Sequence, residues 1–200
     1  MRPGRKRSLA ALALVCGLCG VALLPLGCGK PEQAGSPAGP GPSAPPNLVK
    51  NGDFAKLDVV DRDLPVEWLR SQATRATVAA VKGDNGNILR IRAHPEGKLW
   101  QSLTQTLPAL QAGKEYRVSF EGRATTKDGG RVTVLGFVDE KTTKGLTAYR
   151  FANSDWQQHE FSFVMPQESM SRVDLVLGQG NYKNRELVVE YKNVAVYDLE

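Results

Sequence analysis

The side chains most often used for covalent or metal chemistry are scarce along most of this 200-residue chain. All three cysteines, Cys16, Cys19 and Cys28, lie near the start. No disulfide, cysteine nucleophile or thiolate zinc site can therefore form within the part that follows them. The two histidines, His94 and His159, offer little material for a catalytic triad or a metal centre. The sequence thus disfavours cysteine, triad and metal chemistry after residue 28.

Sequence motifs that organise catalysis are absent too. The chain has no G-x-S-x-G elbow, no H-E-x-x-H and no phosphate-binding loop. Gly178-Gln179-Gly180 follows a predicted strand but opens no predicted helix, which disfavours a dinucleotide site. His159 shares the parity of Phe163, so we predict that it packs against the core rather than acting in catalysis. We therefore predict a protein that is not an enzyme.

Trp100 is the residue best placed for a non-covalent contact. In a strand predicted over 99–107, it has the opposite parity from Leu99, Leu103 and Leu107, which we predict to be buried. The Trp100 indole should therefore face outward, and a large apolar group exposed on a sheet typically marks a contact site. The alternative is that a loop covers the ring, or that the ring packs in a second core.

The elements that must position Trp100 are short strands. From residue 47 to residue 200, apolar and polar residues alternate with a period of two, for example along 115–121 and 172–177. This period places one set of side chains in a core and the other set outside. Turn residues separate the segments, and no long stretch has the 3.6-residue period of a helix. We predict strands near 48–54, 66–70, 76–82, 88–93, 99–107, 115–124, 131–138, 147–152, 156–164, 172–177 and 186–198.

About 154 residues with this many strands should form one domain. Each strand has one apolar face to cover, and two antiparallel sheets packed face to face satisfy that need. We therefore predict an all-β sandwich over residues 47–200.

Residues 1–27 have the features of an export signal. Met1–Arg7 is cationic, and Leu9–Gly27 is an apolar run of 19 residues. The segment LPLGC at 24–28 is similar to the bacterial lipobox, in which a peptidase cuts before a cysteine that becomes lipidated, although Pro25 stands where that motif prefers Leu. We expect lipid attachment at Cys28 and a membrane-anchored lipoprotein of the bacterial cell envelope, facing the periplasm or the surface. An uncleaved membrane anchor and ordinary secretion are the alternatives.

A linker is predicted between the anchor and the domain. Residues 29–46 contain six of the twelve prolines and have no apolar periodicity. We predict that 28–46 comprises the lipidated cysteine and a disordered spacer, which extended would reach about 55 Å at about 3.1 Å per residue.

The net charge gives no support for nucleic-acid binding. The formal charge of +5 includes four basic residues before Cys28, all within the first seven positions. The remaining chain carries 22 basic and 21 acidic residues. The basic balance therefore belongs to the predicted signal, and we predict no nucleic-acid partner.

Several short segments of 47–200 resemble a family of carbohydrate-binding modules appended to bacterial xylanases and cellulases (families four, nine and twenty-two). The matching segments occur in family order. They are NLVKNGDF at 47–54, Trp68, Gln101 with Leu103, GKEYRVSF at 113–120, Trp156 with Phe163, and KNV at 192–194. The resemblance implies a jelly-roll β-sandwich, galactose-binding-like, which agrees with the periodicity.

The resemblance also implies a glycan-binding cleft on one sheet. Aromatic rings there cover the C–H faces of sugars, while polar groups bond the hydroxyls. Beside Trp100, the residues that the resemblance implies for substrate binding are Arg70, Phe137 and Gln179. We add Tyr149 and Tyr182 as further candidates for the same cleft, with ordinary strand or loop packing as the alternative. The other two tryptophans, Trp68 and Trp156, correspond to structural positions of the family, and we predict both to be core residues.

Many relatives hold a structural calcium ion, and the resemblance allows a comparison of its ligands. At the positions of the two calcium-binding acids this chain has Ala55 and Lys192. Calcium requires anionic oxygens, so we predict no bound metal and no cofactor, with the Lys192 ammonium bonding neighbouring carbonyls instead.

Two functions from different classes remain open. The first is a non-catalytic, lipid-anchored module that binds poly- or oligosaccharide at the cell envelope. The second is a structural or protein-interaction lipoprotein with the same fold, a possible envelope protein partner and a closed cleft. Hydrolysis is a background alternative, because the two carboxyl groups of a glycosidase cannot be recognised from spacing.

Overall fold

The computed structural model describes residues 45–71 and 77–199. These residues form ten β-strands and no helix. The strands are β1 (Leu69–Ser71), β2 (Val78–Gly83), β3 (Gly86–Arg92), β4 (Ser102–Thr106), β5 (Glu115–Ala124), β6 (Gly130–Phe137), β7 (Thr143–Phe151), β8 (Gln157–Val164), β9 (Arg172–Gln179) and β10 (Val188–Leu199).

The strands form two five-stranded antiparallel sheets. The first sheet has the order β1-β4-β9-β6-β7, and the second has the order β2-β3-β10-β5-β8. Each sheet turns one face toward the other, and the apolar side chains between them make one core. The prediction of an all-β sandwich is confirmed.

The alternation of apolar side chains explains why these segments are strands. Along β9, Val173, Leu175 and Leu177 are buried in the core, whereas Arg172 and Val176 reach the outer face. Strand β5 buries Tyr116, Val118 and Phe120 from the other sheet in the same way. A large buried side chain contributes roughly 1.5–3 kcal/mol, so this alternation fixes both the pairing register and the faces of the sheets.

The predicted strand over 48–54 is wrong. The segment instead forms a turn beside β10, with positive φ at Asn51 (50°) and Phe54 (56°). Gly52 lies against that strand so closely that a Cβ would come within 1.9 Å of the Val194 carbonyl oxygen. Trp68 covers the turn, packs on Phe54 at 5.6 Å between ring centroids and donates to the Asn51 carbonyl at 3.2 Å. The prediction of Trp68 as a core residue is confirmed.

The strand that follows Trp100 is shorter than predicted. Strand β4 begins at Ser102, and Leu99, which we predicted to be buried, is 39% exposed. The parity is nevertheless as expected at the other positions, because Leu103 and Leu107 are buried. Trp100 therefore lies in the loop that enters β4.

The predictions for the start of the chain concern residues outside the described part. These predictions are the signal over 1–27, lipid attachment at Cys28 and the linker up to residue 44; only residues 45 and 46 of the linker are described. Within 45–71 and 77–199, the chain contains no helix of the length and apolarity that crossing a bilayer requires.

Candidate functional site

The outer face of the first sheet carries side chains in rows that run across the strands. The register aligns Ser102 of β4 with Gly178 of β9, Arg131 of β6 and Arg150 of β7. The next row contains Thr104, Val176, Thr133 and Ala148. Because these residues share one parity, they form the outer surface of the sheet, which here combines two arginines with small polar and apolar side chains.

A groove lies on this face beside Trp100. Its volume is about 280 Å³. The indole is 41% exposed, so neither a loop nor the core covers it, and Tyr182 packs against it at 5.1 Å between centroids. We call this depression the Trp100 groove; it is lined by Trp100, Gln101, Ser102, Arg131, Thr133, Leu135, Val176, Gly178 and Gln179.

Gly178 keeps the floor of the Trp100 groove open. It occupies an outward position of the central strand β9, where any other residue would place a side chain over the floor. A Cβ at this position would meet the Gln101 carbonyl oxygen and the Ser102 Cβ at 3.5 Å, which is ordinary contact distance. The backbone would therefore accept a side chain, and the absence of one leaves space for a ligand.

Two buried glutamines hold the loop that carries the indole. The amide nitrogens of Gln101 and Gln179 both donate to the carbonyl of Leu99, each at 3.3 Å. The Gln101 oxygen accepts from the Thr77 hydroxyl at 2.6 Å. Gln179 is 1% exposed, so it acts mainly behind Trp100, where it fixes the backbone of the preceding residue.

Two polar atoms of the groove lining are buried without a partner. Among the described residues, neither the Arg131 Nε nor the Gln179 Oε1 has a hydrogen bond. More than nine in ten buried polar groups find a partner in protein, water or ligand. The Trp100 groove thus contains an unused donor and an unused acceptor near an exposed aromatic ring.

Tyr191 supports the groove from the core. It belongs to β10 of the second sheet, and its hydroxyl donates to the Gly178 carbonyl at 2.5 Å and accepts from the Arg131 amide at 3.1 Å. Complete burial raises the pKa of the Tyr191 phenol, which stays neutral and keeps donating. One side chain therefore ties the two strands that carry the floor to the opposite sheet.

Arg70 does not reach the Trp100 groove. Its register partner is Leu103, a buried residue, so its side chain points between the sheets and is only 10% exposed. The guanidinium pairs with Asp61, and its Nε donates to the Val78 carbonyl at 2.7 Å. Arg70 is thus held by internal contacts rather than presented to a ligand.

Tyr149 also lies away from the groove. It is opposite the buried Val132, so it points into the sandwich, where it stacks on Phe161 at 5.3 Å and lies 3.2 Å from the His159 Nδ1. Burial lowers the pKa of His159, and its packing against Phe120 at 5.1 Å confirms that it belongs to the core. Tyr149 therefore packs against the core, together with His159, rather than lining the groove.

Phe137 shares the outer face but lies beyond the groove. It follows Leu135 on β6 by two residues, at the far end of the strand from Arg131. The guanidinium of Arg172 covers the ring at 3.8 Å, and the same arginine pairs with Asp174 at 3.2 Å. Of the predicted site residues, the structure brings together Trp100, Tyr182 and Gln179 and leaves the others elsewhere.

Trp156 is not a core residue, contrary to the prediction. It is half-buried on the outer face of the second sheet, between Arg123 at 4.8 Å and the Lys192 ammonium at 4.7 Å from the ring centroid. Lys192 bonds the Glu121 carboxylate at 2.8 Å, which lowers the pKa of that carboxyl. Arg123 bonds Glu190 at 2.5 Å. The cations around Trp156 are therefore paired within the protein.

Lys192 also bears on the metal prediction. Its ammonium bonds a carboxylate side chain rather than the neighbouring carbonyls that we expected. In the described part of the chain, no three His, Cys, Asp or Glu side chains cluster as a metal site would require.

Two residues of the groove, Arg131 and Gly178, were missed by the sequence analysis. Arg131 begins the strand predicted over 131–138, and its parity alone would have placed it outward with Leu135. Gly178 was interpreted only as a turn residue, because a glycine gives no alternation signal. Their proximity depends on the pairing of β6 with β9, which are over 30 residues apart in the chain.

Comparisons with known proteins bear on the whole domain. A family described as "Carbohydrate binding domain" matches residues 46–184. No curated protein sequence matches the chain significantly. The fold is similar to that of a Stig cyclase from Fischerella sp. TAU (18% identity, TM-score 0.57, 78% of this chain and 98% of that one).

Two further solved structures are similar. One is described as CBM4 (20% identity, TM-score 0.54, 75% of this chain and 99% of that one). The other is a xylan-binding domain, CBM22-1, from Paenibacillus barcinonensis (12% identity, TM-score 0.54, 78% and 97%).

Proposed function

The chain belongs to the carbohydrate-binding-domain family, and on that premise we propose that it binds poly- or oligosaccharide in the Trp100 groove without catalysing a reaction. The family match spans most of the strands and both sheets, so it covers the elements that build the groove. The proposal concerns this groove because it is where an accessible aromatic ring and free polar atoms occur together.

The observation that carries the proposal is the arrangement around the half-exposed indole. Sugars have apolar C–H faces that pack on aromatic rings, and hydroxyl groups that need both donors and acceptors. Trp100 offers the ring and the outward-facing Arg131 guanidinium offers donors, with its Nε left unbonded within the described part of the chain. A saccharide bound across Gly178 would stack on Trp100 and lie beside Arg131, while Gln179 supports the loop from behind the indole.

A non-catalytic role is part of the proposal. The similar Stig cyclase is an enzyme by its description, so the fold alone does not decide between binding and catalysis. What supports binding is the lining of the groove, which contains no carboxylate, histidine or cysteine among the described residues. General acid–base chemistry uses such groups, and the Ser102 and Thr133 hydroxyls of the lining would need one of them as a base to act as nucleophiles.

Membrane anchoring completes the proposal. The LPLGC segment at 24–28 and the Pro-rich residues after it support lipidation at Cys28 and a tethered domain at the bacterial cell envelope, periplasmic or surface-facing. In fractionated cells that express the protein, Cys28→Ala should move it from the membrane to the soluble fraction after alkaline extraction. Retention of that variant in the membrane would argue against lipidation.

A protein-interaction role is the second candidate. Leu69 is 68% exposed on β1, at the edge of the first sheet, and exposed leucines on an edge strand favour contact with another chain. In this case the protein would be a structural envelope lipoprotein with the same fold and no glycan ligand.

Affinity electrophoresis against a panel of soluble polysaccharides tests the proposal. About 41% of a side chain that can bury up to roughly 250 Å² leaves about 100 Å² of Trp100 for a ligand. At about 25 cal/mol per Å² the upper limit is about 2.5 kcal/mol, or about 60-fold in affinity. Trp100→Ala should therefore weaken binding by about 10- to 60-fold.

The matched control is Trp156→Ala, which removes a half-buried tryptophan from the opposite sheet and should change the affinity less than twofold. Equal retardation of Trp100→Ala and the unmodified protein, or no retardation by any polysaccharide, would favour the protein-interaction role.

A further inference from the structure

Arg131 lies in an unusual electrostatic position on the floor of the Trp100 groove. Its neighbours in the same outward row are Gly178 on one side and Arg150 on the other. Residues directly opposite on antiparallel strands bring their side chains within about 5 Å at Cβ, and like charges there destabilise the sheet. Nothing in this row compensates the two guanidinium groups.

Arg131 also makes no ion pair within the described part of the chain. Other arginines on the outer faces do: Arg172 pairs with Asp174, and Arg123 pairs with Glu190. The Arg131 Nε is moreover buried and unbonded. A guanidinium that is partly desolvated and unpaired is suited to bind an oxyanion, because its planar donors can form two parallel hydrogen bonds to it.

The rest of the groove adds no negative charge. Arg131 is the one ionisable residue in its lining, within the residues that the structure describes. At the aromatic end, the Lys183 ammonium lies 5.9 Å from the ring centroid of Tyr182, which packs on Trp100. A ligand in the groove therefore meets the half-buried Arg131, and a second cation lies near the Tyr182 ring.

We propose that the Trp100 groove selects acidic saccharides, with Arg131 binding a carboxylate or sulfate of the sugar that stacks on Trp100. This inference rests on the proposed glycan binding and adds the class of glycan and the residue that determines it. Arg131 supplies the charge, Gly178 the space for the substituent, and Trp100 the platform for the ring.

Titration calorimetry with the full protein tests the inference with three hexasaccharides: hexagalacturonate, its neutral galactose counterpart and a sulfated form of the latter. The unmodified protein should bind one or both acidic forms at least tenfold more tightly than the neutral form at low ionic strength. That preference should shrink several-fold at 0.5 M salt, because screening weakens a partly exposed ion pair.

Two variants of Arg131 and one control variant test whether the preference for acidic saccharides depends on Arg131. Arg131→Gln should bring the acidic and neutral affinities within about twofold, whereas Arg131→Lys, which keeps the charge but not the planar donors, should retain an intermediate preference. Arg117→Gln, on the outer face of the second sheet, should change nothing. The melting temperature of each variant verifies that it is folded.

The outcomes separate the two proposals. Binding of the neutral hexasaccharide at equal or greater strength, or a preference that survives in Arg131→Gln, overturns the inference and leaves glycan binding intact. Absence of binding to all three saccharides in the unmodified protein overturns the inference together with the proposed function. Adsorption to phosphatidylglycerol vesicles that depends on Arg131, with no preference among saccharides, would assign the charge to a membrane surface instead.

Discussion

Side chains added at Gly178, on the floor of the Trp100 groove, should have opposite effects on protein stability and on ligand affinity. Gly178→Ala adds a methyl group whose nearest neighbours lie at 3.5 Å, so no atom has to move. Glycine within a strand is less favourable than alanine by about 0.5–1 kcal/mol. In a domain of this size, about 1 kcal/mol corresponds to about 2–4 °C, so Gly178→Ala should raise the melting temperature by about 1–4 °C.

Gly178→Leu tests the same position as a ligand site. At roughly 30 Å³ for each water-sized group, its four side-chain carbons occupy on the order of 100 Å³, more than a third of the groove volume of about 280 Å³. Binding of any groove ligand should therefore weaken at least tenfold, which is about 1.4 kcal/mol.

Calorimetric melting and glycan titration on the same samples provide both measurements. Gly145→Leu is the matched control, because Gly145 lies on the edge strand β7, outside the groove lining, with no atom within 4 Å of a built Cβ. It should leave glycan affinity unchanged. Wild-type affinity in Gly178→Leu, or a melting temperature lowered by Gly178→Ala, would refute the reasoning from this geometry.

Three further predictions concern stability. Tyr191→Phe removes the partner of the buried Gly178 carbonyl and Arg131 amide, and should lower the free energy of unfolding in urea by about 1–3 kcal/mol; an unchanged midpoint would contradict this. Because burial lowers the pKa of His159, the unfolded chain takes up that proton first, so stability should fall as pH drops below about 6.5. Urea midpoints at pH 8 and pH 5 should differ less in His159→Gln, and an equal difference would assign the loss to other groups. Millimolar calcium should leave the melting temperature unchanged, and a rise of several degrees would reveal a calcium site.

The alternation of apolar and polar residues in the sequence was sufficient to predict the two-sheet architecture. A period of two is set by the pleat of a strand, so the burial of Val173, Leu175 and Leu177 followed from local pattern alone. Trp100 is exposed as expected, but it lies in the loop before β4, so the pleat is not the reason. The same local pattern failed at 48–54, where positive φ angles at Asn51 and Phe54 and a tight contact with β10 replace the strand. That contact joins segments about 140 residues apart, and no local rule contains it.

The site was predictable only in part, because its chemistry depends on pairing between distant strands. Arg70 was expected at the cleft, but its partner Asp61 comes from a loop whose path the sequence does not specify. Trp156 was expected in the core, yet it is surrounded by Arg123 and Lys192 from two other strands. The sequence gives the identity of each side chain. Which side chains lie next to each other depends on the pairing register of the strands, which the sequence does not show.

The most direct measurement is the indole N–H region of an NMR spectrum during glycan titration. The protein has three tryptophans, and the structure places each in a different setting: Trp68 in the core, Trp100 in the groove and Trp156 on the opposite sheet. Single Trp→Phe variants assign the three signals. Addition of a binding glycan should shift the Trp100 signal and leave the other two in place. A stationary Trp100 signal during saturable binding, or a shift confined to Trp156, would contradict glycan binding in the Trp100 groove.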